Sequence, residues 1–133
     1  MKQVLSKKTA TFILTVLLGL LLIFHLLVIS GMFPADIVWG GQMKPGDSIV
    51  LFELLALGMT IIFIFTALTR GVYICNRILG KIAAGFIWIM VVYFILNVAG
   101  NLAAKTAAEK WIFTPFTVIL VLCSLRLAIK EKK

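Results

Sequence analysis

The chain has 133 residues, of which 62% are hydrophobic and 14% charged, with a mean hydropathy of +1.15 and a net charge of +8. A soluble domain carries about a quarter of its residues as charges, and a chain this short has too little interior to hide so much apolar surface from water. That excludes a soluble globular enzyme, a nucleic-acid-binding domain and a disordered chain, and leaves a polytopic membrane protein forming a single domain over 1–133.

The basic residues flank apolar runs; they do not form a stripe interleaved with aromatics, so they are not a nucleic-acid footprint. Four apolar runs are long enough to cross about 30 Å of hydrocarbon, which takes about 20 helical residues. They predict an all-α integral membrane bundle of four transmembrane helices, at about 9–29, 49–69, 82–104 and 107–129. None alternates with period two, as barrel strands do. The first run has the basic start and the small closing residues, Ser30 and Gly31, of a secretion signal. Its apolar stretch exceeds the about 7–15 residues of such a signal, and the reading is a retained helix, with cleavage the minor alternative.

With four spans, both termini and the central connection share one side. That side holds Lys2, Lys7, Lys8, Arg70, Arg77, Lys81, Arg126, Lys130, Lys132 and Lys133, against Lys44, Lys105 and Lys110 on the other. The bias places both termini in the cytoplasm. Asp36, Asp47, Glu53 and Glu109 fall outside, and Glu131 inside. Cys75 and Cys123 then face a reducing compartment, which argues against a disulfide, and no CxxC pair or Cys/His metal spacing is present.

The outer loop, 30–48, is SGMFPADIVWGGQMKPGDS. Its Pro and Gly residues preclude a continuous helix, while Phe33, Ile37, Val38 and Trp39 are too apolar for a solvated linker. It is expected to fold over the bundle as a cap built on Asp36, Trp39 and Gln42, with Trp39 near headgroup level. Asp47 or Ser48 is placed to cap the second helix. The inner connection, 70–81, is basic and contains Tyr73. It is expected to be a helix extension in an anionic interface; a docking site for an acidic partner is the sharper alternative.

Helices three and four are separated only by Lys105 and Thr106. Thr106 and Glu109 have the spacing of a capping box, in which each side chain answers the other's backbone N–H. Helix four then starts near Ala107 and carries Pro115 inside it, which frees the Trp111 carbonyl and bends the helix. In the rival reading Thr114 is the cap and Pro115 the first helical residue, leaving a span of only about 22 Å.

Ionisable groups in lipid are costly and face a bundle interior or cavity. His25, Glu53, Asn97, Thr114 and Thr117 fall at similar depth in the outer part of the four helices. Asn97, Asn101 and Lys105, four apart, share one face of helix three. Beside them Gly100, Ala104 and Ala108 are small enough to let a neighbouring helix approach closely. Lys105 is within reach of Glu53 or Glu109. The cluster is a structural network or an outward pocket for an ion or small polar ligand.

No cofactor is expected. His25 has no second His for haem or metal, and no nucleophile elbow surrounds it, so the chain is read as not an enzyme. The expected role is a non-enzymatic interaction or accessory protein, with a homodimer or another membrane protein as possible partner besides the lipid bilayer. The alternative is a small transporter or ligand-binding protein using the pocket around Glu53. The inner halves of the helices offer few polar steps for transport, chiefly Thr15, Thr60, Thr66 and Ser124.

The stretches PADIVWGGQ at 34–42, NVAGNLAAKTAAEK at 97–110 and FTPFT at 113–117 resemble a group of small uncharacterised bacterial membrane proteins with four transmembrane helices. The resemblance covers nearly the whole chain. It implies a bacterial inner membrane, marks the outer loop and the turn between helices three and four as distinctive, and carries no activity with it. Small multidrug transporters are similar in length, but use an embedded Glu in helix one, where this chain has no acid.

Overall fold

The structure of the protein, a computed structural model, describes residues 5–44, 48–71 and 76–129. Lys2, Asp47, Tyr73, Cys75, Lys130, Glu131, Lys132 and Lys133 lie outside them. Among the described residues the fold is all-α. Helix α1 spans Lys7–Ile29, α2 Ile49–Arg70, α3 Arg77–Ala103 and α4 Thr114–Ala128, the last continuing a turn at Glu109–Phe113. At about 1.5 Å per residue each is about 30–40 Å long, enough to cross a bilayer. Neighbours run antiparallel, and α4 closes on α1 to complete a four-helix ring.

The helices start where side chains can answer their free N–H groups. The Ser6 hydroxyl accepts from Thr9 N at 3.0 Å, Ser48 from Leu51 N at 3.3 Å, and Asn76 Oδ1 from Ile78 N and Leu79 N at 2.9 and 3.1 Å. The Asn76 cap starts helix three at Arg77, not the expected 82, so part of the basic connection is helix. Helix α1 ends where Gly31 adopts φ +77°: Gly31 N donates to Val28 O and Met32 N to Leu27 O, closing the free carbonyls.

The interior holds Leu14 and Leu18 from α1, Phe63 from α2, Ile87, Met90 and Phe94 from α3, and Leu120 and Leu127 from α4, all under 2% exposed. Phe12, Leu20, Phe65, Ile78, Ile89 and Leu122 point outward, while Glu53, Glu109, Ser124 and Arg126 are buried. Apolar outside and polar inside is the distribution lipid demands. With four spans long and apolar enough to cross, the chain is a multi-pass membrane protein.

Helix four runs through Pro115, as preferred above, but its irregularity is a π-helical turn at Glu109–Phe113. Proline offers no N–H to the carbonyl four residues back, and there the ladder slips by one residue. The Thr114 hydroxyl caps no helix start; it donates to Glu109 O at 3.1 Å, across the π turn.

At the end holding both termini, arginines close carbonyls. Arg70 donates from Nε and Nη2 to Leu127 O, at 3.2 and 2.9 Å, where α4 runs out of its own donors. Buried Arg126 donates to Leu5 O at 2.6 Å. These basic residues, counted above for topology, also tie α2 to α4 and α4 to the start of α1.

Candidate functional site

At the opposite end the loop packs over the bundle through two short 3-10 turns, Ala35–Ile37 and Trp39–Gly41. Three successive residues have left-handed backbone: Trp39 at φ +56°, Gly40 at +72° and Gly41 at +65°. Glycine tolerates this; for Trp39 it costs about 1–2 kcal/mol. A Cβ on Gly41 would press on the Asp36 carbonyl at 3.3 Å and on Thr106 Cγ2 at 3.4 Å. The turn therefore nests against the junction of α3 and α4, where Lys105 N donates to Gly40 O at 3.3 Å.

Two buried carboxylates hold the turn from below. Glu53, 0% exposed, accepts from Trp39 Nε1 at 2.7 Å on Oε1 and pairs with His25 Nδ1 at 2.6 Å on Oε2. The strained backbone at Trp39 thus accompanies an indole N–H aimed into the protein; the ring also packs on Phe52, with centroids 5.3 Å apart. Glu109 accepts from Gly40 N at 2.7 Å and from the Thr106 hydroxyl at 2.6 Å. A buried carboxylate without donors would be prohibitively costly. Here each oxygen has one, and the four bonds join α1, α2, the loop and the start of α4.

Beneath the turn lies a chamber of about 530 Å³. Phe24 and His25 from α1, Glu53 and Ala56 from α2, Tyr93, Asn97 and Asn101 from α3, and Phe113, Phe116 and Thr117 from α4 line it, with Trp39, Gly40 and Gln42 as its roof. Asn97 Nδ2 donates to Tyr93 O at 3.0 Å. Asn101 Nδ2 donates to Thr117 Oγ1 at 3.1 Å, and that hydroxyl donates to Phe113 O at 2.6 Å. Both amides are therefore oriented by their partners, with Oδ1 and one N–H of each left over.

Of the residues singled out from sequence, His25, Glu53, Asn97, Asn101, Thr117, Trp39 and Gln42 converge on this chamber. Thr114 does not; its hydroxyl serves the π turn. Asp36 is exposed and contributes its backbone carbonyl beneath Gly41. The Lys105 side chain is exposed and forms no ion pair with Glu53 or Glu109; Lys105 enters through its backbone N–H. Gly100 is exposed at the chamber with open space around it, so it is not a close-packing site, whereas Ala104 is buried.

The capping box is half formed. Thr106 Oγ1 accepts from Glu109 N at 3.4 Å, but the Glu109 carboxylate turns to Gly40 N, not to Thr106 N. Trp39 is 41% exposed, with its polar tip turned inward instead of toward a headgroup layer. Sequence reasoning missed Glu109 as a second buried carboxylate of the site. Its signal was the Trp-Gly-Gly run, which releases a backbone N–H that needs an acceptor.

Below the chamber the bundle is sealed by Leu14, Leu18, Phe63, Met90 and Leu120. Thr60, Thr66 and Ser124 spend their hydroxyls on Ala56 O, Ile62 O and Leu120 O of their own helices, while the buried Thr15 hydroxyl has no partner. Among the described residues no three His, Cys, Asp or Glu side chains are grouped closely enough to hold a metal ion. Comparison with protein-family models, with curated proteins and with solved structures gave no match.

Proposed function

We propose that the chain is a non-catalytic ligand-binding protein of a bacterial inner membrane, with both termini cytoplasmic and its chamber opening toward the outer side. One observation carries the reading: a cavity of about 530 Å³ with a fully buried carboxylate in its wall. Small-molecule sites span about 300–1,000 Å³ and combine apolar walls with a few convergent polar groups. The Lys and Arg bias supports the orientation. The apolar seal below supports binding over transport, because its hydroxyls, Thr15 apart, are spent on carbonyls of their own helices and offer a permeant ion few polar steps.

Mass analysis of the intact protein released from membranes tests this. Wild type is expected to carry a discrete small molecule that is lost when Ala56→Phe fills the chamber. Identical lipid adducts on both proteins would refute the reading.

An interaction or accessory role is the second reading. It is favoured by exposed Met32 and Phe33, 72% and 40% accessible at the loop end. It requires a membrane partner that copurifies with wild type and is lost when loop 30–44 is replaced.

A further inference from the structure

The chamber's unused hydrogen-bonding capacity is unbalanced. The His25 Nδ1 and Trp39 donors are spent on Glu53, the Gly40 and Thr106 donors on Glu109, and one N–H of each asparagine on an acceptor of its own. What remains at depth is weighted toward acceptors: the spare lone pairs of two carboxylates and Oδ1 of Asn97 and Asn101, against the second N–H of each asparagine. The Tyr93 hydroxyl, which both donates and accepts, and the exposed Gln42 amide at the rim add further donors. No lysine or arginine lines the chamber, so two carboxylates face one imidazole.

The chamber is also open sideways. It runs from Glu53, 0% exposed, to Leu96, 66% exposed on α3, past Gly100, where a Cβ would meet nothing within 4 Å. On the helix Leu96 and Gly100 lie on the flank of Tyr93, which packs on Phe63 of α2 at 5.2 Å. The opening therefore faces lipid between α2 and α3. Phe24, Tyr93, Phe113 and Trp39 supply aromatic walls that favour a cation over an anion.

We propose that the chamber takes the ammonium head of a cationic amphiphile entering from the bilayer between α2 and α3, an inference that rests on the ligand-binding reading above. An ammonium brings three donors and no acceptor, which matches the groups left over. A phosphate or carboxylate head brings negative charge to a wall that holds two carboxylates and no lysine or arginine. A polyol head brings no charge to answer those carboxylates.

The test uses the full chain in phosphatidylcholine nanodiscs and a dodecylammonium probe with a photoreactive diazirine in its tail. Saturable labelling is expected on 93–103 and 113–120. Unlabelled dodecylammonium should compete at least tenfold better than dodecyl phosphate or dodecanol. Glu53→Gln should weaken labelling. Gly100→Trp, which enters open space and leaves the Glu53 and Glu109 bonds intact, should abolish it in a folded protein. Equal competition by the three amphiphiles would overturn the cationic class while leaving a binding chamber. Absence of saturable labelling with all three as probes would overturn the chamber as a binding site, and the proposal with it.

Discussion

Replacing Trp39 with Phe removes one atom group of known function, the indole N–H that donates to Glu53 Oε1 at 2.7 Å. A phenyl ring keeps the contact with Phe52, whose centroid lies 5.3 Å from that of the indole, and the backbone at position 39 is still required to be left-handed. The loss is therefore chiefly one hydrogen bond, which leaves a fully buried acceptor oxygen without its donor, about 1.5–3 kcal/mol. With about 1.36 kcal/mol per factor of ten, the loop should open about 10- to 150-fold more often. Amide hydrogen exchange reads that opening locally. The Gly40 amide, bonded to Glu109, and the Lys105 amide, bonded to Gly40 O, should exchange faster by this factor. Amides around Phe63 and Ile87 in the core should not change. Exchange within twofold of wild type at Gly40 would show that the Trp39–Glu53 bond does not hold the loop.

Three further outcomes follow from the same geometry. Glu109→Gln keeps one acceptor where two bonds are accepted and can turn an NH2 toward a backbone N–H, so it should destabilise the protein by about 1–3 kcal/mol in thermal unfolding; Lys105→Ala should be near neutral because that side chain is exposed and forms no ion pair with either carboxylate. Gly71→Ala places a Cβ against the Thr11 side chain at the α1–α2 crossing and should lower the melting temperature, with Thr11→Ala restoring part of the loss by removing Cγ2 and Oγ1; no rescue would show that the clash is not the cause. A single cysteine at Gln42 should react with an impermeant thiol reagent from the outer side of intact cells, whereas labelling only after membrane disruption would reverse the orientation.

The four helices were legible because lipid imposes a length and a composition that few other environments do. The convergence of His25, Glu53, Asn97 and Asn101 was legible for a related reason: a fixed rise per residue converts sequence position into depth. What depth does not give is direction. Lys105 shares a helical face with Asn101, yet its long side chain stays outside while its backbone N–H joins the loop. Gly100 has the spacing of a packing residue but borders the chamber. Trp39 was assigned to the membrane surface by its residue type, and the left-handed turn at Trp-Gly-Gly sends its N–H inward. The pairing of Gly40 with Glu109 joins residues 69 apart in sequence. No local pattern reports such a contact, although Thr106 and Glu109 marked where an N–H acceptor would stand.

The proposed function requires that the chamber hold a bound molecule. Methyl-labelled protein in nanodiscs puts this directly to measurement, through nuclear Overhauser effects at Ala56 and Leu120, which line the chamber and are 6% and 1% exposed. Cross-peaks from both methyl groups to protons of a bound molecule, lost in Gly100→Trp, are expected. Cross-peaks to protein protons alone, with Ala56 and Leu120 in direct contact with side chains closing the space, would show a collapsed core and contradict the proposed function.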